Sequence, residues 1–293
     1  MKKTTNINNE EQQFETIVEP KNGWFDLHLK ELINYKDLII LFVKRNFVSQ
    51  YKQTILGPAW AVIQPLLTTV VFTLVFGNIA GLAPGGVNSF VYYLCGTVFW
   101  QYFSGSLSMV SHTFTSNSNI FGKVYFPRLV LPISTVMTNL ISLAIQFSFF
   151  LIAWVIFLFI PGYSMHPSWQ IALMPVMVFQ LALLALGCGI IISALTTKYR
   201  DLAMLVSFGV QLWMYASPVA YAADMFLGSK WDFIYWCNPV CPMLETIKYG
   251  FLGEAAAQFR PGMWGISWIT TLVILFIGVL LFSKVEKTFM DTV

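Results

Sequence analysis

The sequence has few charged residues, and this scarcity excludes most soluble classes of protein. Asp, Glu, Lys and Arg make up 11% of the 293 residues, whereas soluble domains contain roughly 25%. Hydrophobic residues make up 57%. A soluble enzyme, a disordered protein and a nucleic-acid-binding protein are therefore excluded. With only four cysteines, a secreted scaffold held together by disulfides is excluded as well.

The sequence patterns of catalytic and cofactor sites are also missing. There is no phosphate-binding GxxxxGK[ST] motif, no HExxH metal motif and no Cys-x-x-Cys pair. The six membrane spans predicted below contain no Asp, Glu, Lys or Arg, whereas ion-coupled transporters usually hold an ionisable residue in the membrane. We therefore expect a protein that is not an enzyme, has no catalytic residue, metal or cofactor of its own, and receives its energy from a partner.

Long runs without charge are what the sequence does contain. Two of them, 53–122 and 129–197, are long enough for two spans each, and two shorter ones, 202–223 and 261–283, for one each, because a helix needs about 20 apolar residues to cross a bilayer. Gly- and Pro-rich turns at 81–86 and 161–167 divide the long runs. The fold class expected is an all-α polytopic membrane protein with six spans at 58–80, 88–110, 130–160, 169–195, 202–221 and 264–283.

The distribution of Lys and Arg predicts the orientation of these spans. Of the 17 basic residues, 14 fall before the first span, in the second and fourth loops or in the tail after the last span. Since basic loops stay in the cytoplasm, we expect both termini to be cytoplasmic in a multi-pass protein of the cell inner membrane.

The residues before the first span divide into two parts. Residues 1–23 are polar, without the apolar core of a signal peptide, and are expected to form a mobile cytoplasmic tail. Residues 24–51 place Leu32, Ile39 and Val43 on one helical face, with charges opposite. This pattern predicts an amphipathic helix at the membrane interface, although a soluble helix packed on a partner fits it too. The six-span domain would cover 52–293.

The connection between the fifth and sixth spans is the main external segment. It contains two short, partly apolar stretches near 222–236 and 242–257, whose length suits re-entrant or interfacial helices. An ordinary folded loop is the alternative. Cys237 and Cys241 in this connection could form a disulfide or remain two free thiols.

Four segments resemble one family of membrane proteins. Residues 51–67, YKQTILGPAWAVIQPLL, resemble the start of the first span in the membrane subunits of type-2 ABC exporters for polysaccharides, which move O-antigen, capsule or teichoic acid chains. Residues 118–128 and 198–202 resemble the two cytoplasmic loops of that family, and Asn238-Pro239 with 249–252 resembles its external segment before the last span. The resemblance covers roughly residues 24–290.

The resemblance implies one half of a transmembrane pathway. Two copies of the chain would pair about a two-fold axis, and each would dock on a separate ATPase subunit that holds ATP and Mg. The main coupling segment would consist of Asn119, Ile120, Phe121, Gly122, Lys123, Val124, Tyr125, Phe126, Pro127 and Arg128. A smaller contact would come from Lys198, Tyr199, Arg200 and Asp201. From composition alone, both could be loops whose charges only set the topology.

A pathway for polysaccharide should carry aromatic rings and amides. Sugar rings stack their C–H faces on aromatic side chains, while their hydroxyls need polar partners. The candidate lining residues, all on or next to the first and fifth predicted spans, are Trp60, Gln64, Phe72, Phe76, Phe208, Gln211, Trp213, Tyr215 and Tyr221. Each of the aromatic residues could instead face lipid or the headgroup region.

The function expected is that of the transmembrane subunit of an ATP-driven exporter for a lipid-linked polysaccharide such as O-antigen. No nucleic acid is expected as a partner. Three alternatives stay open: an exporter of another bulky amphiphile, a membrane enzyme of glycan assembly, and a non-catalytic partner within such an assembly complex.

Overall fold

The computed structural model describes residues 29–117, 126–163, 165–198, 201–223 and 230–289, which form helices and connections without a strand. In chain order, the α-helices are α1 (Leu29–Asn34), α2 (Lys36–Tyr51), α3 (Trp60–Phe72), α4 (Ser89–Ser111), α5 (Thr113–Ser116), α6 (Val130–Leu158), α7 (Met174–Lys198), α8 (Leu202–Tyr215), α9 (Asp232–Cys237), α10 (Val240–Leu252) and α11 (Pro261–Phe289). Short 3-10 turns precede α3 and α7, and a π-helical segment, Thr73–Ile79, extends α3.

Four helical segments of the described residues are long and apolar enough to cross a membrane. They are Gly57–Ile79, Val130–Leu158, Trp169–Thr196 and Pro261–Lys284, and they coincide with the first, third, fourth and sixth predicted spans. The second predicted span coincides with α4, which is long enough but less apolar, and the fifth with α8, which has 14 residues. The all-helical fold is confirmed, whereas the number of six spans stays a prediction.

The position of α4 explains why it is less apolar than the other long helices. It packs against α3, α6, α7 and α8, and most of its side chains are buried, including Tyr92, Tyr93 and Thr97. A helix that contacts protein on nearly every side gains nothing from a lipid-facing apolar surface. Polar residues can then serve helix packing and cavity lining.

The two helices nearest the N-terminus pack against the bundle. Residues 24–28 lie outside the described residues, and the chain turns at Tyr35, so the predicted single helix is divided into α1 and α2. Leu32 and Ile39 pack against the core, and Phe42 is buried. The predicted apolar face is thus directed at the protein along α6, while the interfacial position stays a prediction.

Helices α7 and α11 approach each other closely at two glycines, Gly187 and Gly278. A Cβ added to Gly278 would lie 2.8 Å from the carbonyl oxygen of Gly187, and one added to Gly187 would lie 2.9 Å from the backbone of Leu275. Only hydrogen as a side chain permits this approach. Small residues of this kind allow helices to pack closely where hydrophobic driving force is weak.

Helix α10, in the connection between α8 and α11, is packed into the bundle. Every residue of α10 except Tyr249 is buried, and the helix contacts α4, α7, α11 and the turn at 169–173. The Trp154 side chain of α6 donates a hydrogen bond from Nε1 to the Phe251 carbonyl (2.8 Å), and the Ser168 backbone N–H donates one to the Gly250 carbonyl (2.9 Å). The second partly apolar stretch therefore contains a helix that is held on several sides by the long helices, whereas the choice between a re-entrant helix and a folded external loop stays open.

Candidate functional site

A cavity of about 450 Å³ lies between α3, α4 and α8. We call it the seam cavity. Three of the predicted lining residues, Phe72, Gln211 and Tyr215, border it, and α4 adds Trp100 and Gln101. The cavity thus combines aromatic rings with amides, which is the chemistry expected for a polysaccharide pathway.

A second cavity of about 220 Å³ lies between the end of α2, α3, α4 and α6. We call it the amide cavity. Trp60 and Gln64 border it, together with Gln101 from α4 and Asn139 and Gln146 from α6. The predicted lining residues of the first span are therefore divided between two cavities, with Trp60 and Gln64 in one and Phe72 in the other.

The four remaining predicted lining residues border neither cavity. Phe76 packs edge-on against Phe72, with ring centroids 5.2 Å apart. Phe208 is exposed on the outer face of α8. Tyr221 donates a hydrogen bond from its hydroxyl to the Tyr215 carbonyl (2.9 Å). Trp213 borders a separate, apolar cavity between α4, α7 and α8.

Trp213 is held in place by the Asn238-Pro239 motif. Its indole Nε1 donates a hydrogen bond to Asn238 Oδ1 (2.9 Å). The Asn238 amide nitrogen in turn donates to the Ala216 carbonyl (3.1 Å) and to Ser217 Oγ (3.0 Å). Asn238 therefore connects the start of α10 to the end of α8 by hydrogen bonds. These bonds explain why an asparagine stands at this position of the motif.

Four amides that border the amide cavity are absent from the predicted lining set, namely Gln50, Gln101, Asn139 and Gln146. Asn139 and Gln146 lie on α6, with Ser142 between them. Positions separated by three and then four residues lie on one face of a helix. This polar stripe, in a span that otherwise faces apolar surroundings, is the sequence signal that would have identified the α6 wall of the cavity.

The connection between α8 and α11 contains a buried pair of opposite charges. Glu245 and Lys248 lie one turn apart on α10, and both side chains are 0% exposed. The sequence counts them among the charges of an external loop, whereas the structure buries them because α10 is enclosed by long helices. The negative charge of Glu245 interacts favourably with the Lys248 ammonium group, and charges in such an environment need a partner of this kind.

The hydrogen bonds of this pair join three parts of the chain. Lys248 Nζ donates to the Pro218 carbonyl just after α8 and lies 3.8 Å from the centroid of the Tyr92 ring on α4. Glu245 Oε2 accepts a hydrogen bond from the Gln258 backbone N–H (3.1 Å) just before α11. We call Glu245 and Lys248 the buried charge pair. It links the end of α8 to α10 and to the start of α11.

The predicted ATPase-coupling residues fall largely outside the described residues. This applies to Asn119–Tyr125 and to Tyr199 and Arg200. Phe126 and Arg128 are described, and both are buried, with 6% and 5% of their surface exposed. The Phe126 ring lies 5.9 Å from that of Phe42 on α2. Both side chains are therefore packed within the described part of the bundle, and a contact between this segment and an ATPase stays a prediction.

The other described residues of the predicted coupling set lie at helix ends. Pro127 is partly exposed just before α6, Lys198 is the last residue of α7, and Asp201 is exposed immediately before α8. In the connection after α8, the thiols of Cys237 and Cys241 are both free, with the first exposed and the second buried. The structure thus agrees with the alternative of two free thiols.

Comparison with known proteins places this architecture in a family. The family of ABC-2 type transporters matches residues 37–252. The O-antigen export system permease protein RfbA of Klebsiella pneumoniae is 28% identical to this chain over 256 residues, which cover 87% of this chain and 94% of that protein. The protein of the same name from Myxococcus xanthus is 29% identical over 237 residues, which cover 80% and 88% of the two chains. The family match extends over most of the chain and includes every described residue that borders the two cavities. This protein is therefore a multi-pass membrane protein that belongs to the ABC-2 type transporter family.

Proposed function

We propose that this chain is the transmembrane subunit of an ATP-driven exporter that moves a lipid-linked polysaccharide of the O-antigen type outward across the cell inner membrane. The observation that carries the proposal is the seam cavity, where aromatic rings and amides meet between α3, α4 and α8. The names of the relatives, which are O-antigen export permeases, supply the substrate class.

The pathway would form where two copies of the chain meet. The outer face of α8 exposes apolar side chains such as Met204 and Leu205, and it also exposes Ser207 and Gln211. An amide directed at lipid is costly, because no hydrogen-bonding partner exists there. If two copies paired about a two-fold axis, each would cover the exposed faces of α3 and α8 on the other. The two seam cavities would then lie next to each other.

Coupling to ATP would act at the cytoplasmic ends of the helices. In the proposed topology both termini are cytoplasmic, α4 and α8 count as the second and fifth of six spans, and residues 119–125 contact a separate ATPase subunit. The contact between Phe126 and Phe42 supports a route for the motion. Displacement of this segment by the ATPase would move α2 and the start of α6 together.

The outer end of the pathway would be controlled by α9 and α10. The proposal treats them as re-entrant helices that close the exit. The buried charge pair ties α10 to the end of α8 through Pro218, so a movement of α8 at the seam would also move α10. The exit would then open in step with the seam.

The assembly is tested by purifying the tagged chain from its own cells in mild detergent, followed by mass spectrometry and sizing. We expect a near-equimolar Walker-type ATPase in a complex of two plus two subunits. A glycosyltransferase in its place, or no ATPase, would overturn the proposal in favour of a glycan-assembly complex.

The substrate is tested in cells that lack this chain. Surface glycan should be lost and its lipid-linked precursor should accumulate in the cytoplasmic leaflet, and the intact gene should restore export. Inactivating the Walker A lysine of the partner ATPase should have the same effect as the deletion. Normal surface glycan in the deleted cells would refute the proposed substrate, and accumulation of a different amphiphile would identify the alternative cargo.

A further inference from the structure

The amide cavity holds more hydrogen-bonding capacity than its own residues use. The Gln146 side chain is 8% exposed, and its Oε1 has no hydrogen-bond partner among the described residues. The Tyr102 hydroxyl, on a side chain that is 2% exposed, also lacks one. Buried polar atoms in native proteins are nearly always hydrogen-bonded, so the cavity has to supply partners to these two atoms, either as water or as the hydroxyl groups of a ligand.

Two other buried amides of the bundle, Gln180 and Gln170, provide a comparison. Gln180 on α7 is 0% exposed. Its Nε2 donates to Ser267 Oγ (2.9 Å), and its Oε1 accepts from Trp264 Nε1 (2.9 Å). Both ends of the Gln180 amide are thus paired, whereas the Oε1 of Gln170, which lies outside the cavity, has no partner among the described residues. Gln146 borders the amide cavity, and its Oε1 has no partner among the described residues.

The composition of the lining defines the class of ligand. Gln64, Gln101 and Asn139 add further amides, and Tyr51 and Ser142 add two hydroxyls that lie 3.1 Å apart. None of the described residues that border the cavity is an Asp, Glu, Lys, Arg or His. Without a cation, the cavity has nothing to neutralise a phosphate, and without an anion it has nothing to hold an ammonium group. The ligand should be neutral and rich in hydroxyl groups.

The remaining wall adds shape to this chemistry. Trp60 is 48% exposed and borders the cavity at its α3 side, where its ring offers a flat apolar surface. A cavity of about 220 Å³ equals the liquid volume of about seven waters at roughly 30 Å³ each, which is the scale of one sugar ring. Flat C–H faces together with hydroxyls at the rim are the features of a pyranose.

The amide cavity also adjoins the seam cavity. Gln101, Ser104 and Gly105 of α4 border both. A ligand that leaves the amide cavity past these residues enters the space between α3 and α8. In the proposed topology, the end of α2 and the start of α3 mark the cytoplasmic side, so the amide cavity precedes the seam cavity along the outward direction.

We infer that the amide cavity is a subsite that binds one uncharged pyranose unit of the glycan at the cytoplasmic end of the pathway. This inference rests on the proposed function for the identity of the glycan. The amides bind the sugar hydroxyls, Trp60 stacks on the ring, and Gln101 lies where the unit passes into the seam cavity.

Binding is measured directly on the full chain with its ATPase in lipid nanodiscs free of glycoside detergents, whose sugar headgroups would compete. Saturation-transfer NMR with methyl α-D-mannopyranoside and methyl α-D-glucopyranoside reports the interaction, and methyl β-D-glucuronide serves as the charged comparison. We expect a signal for at least one neutral glycoside and a weaker one for the glucuronide. Gln146→Leu should weaken binding about 2- to 10-fold, the value of one neutral hydrogen bond.

Two further variants separate a lost contact from a damaged fold. Gln64→Leu changes an exposed amide of the cavity without disturbing packing, and it should weaken binding to a similar degree. Gln170→Leu is the matched control, because Gln170 is 7% exposed and its Oε1 also lacks a partner among the described residues, but it lies outside the cavity. Gln170→Leu should bind the glycoside like the parent.

The outcomes distinguish this inference from the proposed function. No glycoside signal in the parent protein, or equal signals in the parent, Gln146→Leu and Gln64→Leu, would mean a cavity filled by water only and would overturn the inference. Surface export in cells is measured separately. If export by the parent persists in that case, the proposed function stands without the subsite, whereas a parent that binds the glycoside but exports no glycan would refute the proposed function alone.

Discussion

The polar side chains of the packed centre (α7, α10 and α11) differ in their hydrogen bonding from those of the two outer helices (α3 and α8). Around α7, α10 and α11, Gln180 and the buried charge pair are fully enclosed and hydrogen-bonded to neighbouring elements. Along α3 and α8, Gln64 and Gln211 are exposed, and their side-chain amides have no hydrogen-bond partner among the described residues. Polar groups in the centre therefore stabilise the fold, whereas those of α3 and α8 remain available to a ligand or a second copy.

The tightness of helix packing also differs between the centre and the outer helices. The α7–α11 crossing leaves no room for a Cβ at Gly187, whereas a Cβ at Gly209 on α8 would meet no atom within 4 Å. A rigid centre with loosely covered outer helices suits a transporter, since the walls of a pathway must move relative to a fixed frame. Variants should therefore separate stability from transport according to the region that they change.

The largest effect should come from removing the cation of the buried charge pair. Lys248→Met leaves the buried Glu245 carboxylate without its positive neighbour, and we expect a loss of about 3–5 kcal/mol in the free energy of unfolding. Equilibrium unfolding by SDS in mixed micelles measures it. Lys230→Met, at an exposed position in the same connection, should leave the stability unchanged.

A double variant tests whether the loss arises from the charge. Replacing both members, in Glu245→Leu plus Lys248→Met, removes the uncompensated carboxylate, so most of the lost stability should return. If the double variant were as unstable as Lys248→Met, the packing of the lysine stem and not its charge would be the main contribution of this residue to the centre.

A smaller effect should follow from enlarging a glycine in each region. Gly187→Leu would force α7 away from α11, and overpacking of this kind costs about 1–3 kcal/mol. Gly209→Leu should be neutral or slightly stabilising, because leucine favours the helix by up to about 1 kcal/mol over glycine. The same unfolding measurement compares the two. Equal losses would show that α8 is packed as tightly as the centre and would remove the contrast.

The positions of the helices could be predicted from the sequence, because charge-free runs and turn residues report directly on which segments avoid water. The burial of Glu245 and Lys248 could not be predicted in the same way. Their charges are typical of an exposed loop, and only the enclosure of α10 by α4, α7 and α11 overrides that local signal. The spacing of three residues between them, which places opposite charges on one helical face, was the one available indication of a pair.

The candidate site was predictable only in part, for a related reason. Aromatic and amide residues of α3 and α8 could be selected from the sequence, but the sequence does not show which helices face one another. Phe72 and Tyr215 share the seam cavity, whereas Trp213 is engaged by Asn238. Asn139 and Gln146 of α6 meet Gln64 of α3 only through the packing of the helices around α4.

The smallest effect on stability should come from Gln211→Leu at the seam cavity. This variant tests most directly whether polar groups of the outer helices serve transport and not stability. The amide is exposed and supports no other described residue, so unfolding should change by no more than about 0.5 kcal/mol. Export should nevertheless fall roughly 2- to 10-fold, since a hydrogen bond to the passing glycan is lost. The rate at which glycan appears on the cell surface after a pulse of synthesis measures this change.

Gln211→Asn, which keeps an amide at this position, should restore part of the rate, and Ser148→Ala, at an exposed position of α6 outside both cavities, should export normally. A stable Gln211→Leu protein with an unchanged export rate would mean that the exposed amides of α8 serve contact between two copies and not the substrate, and the wall of the pathway would then have to be sought on α4, where Gln101 borders both cavities.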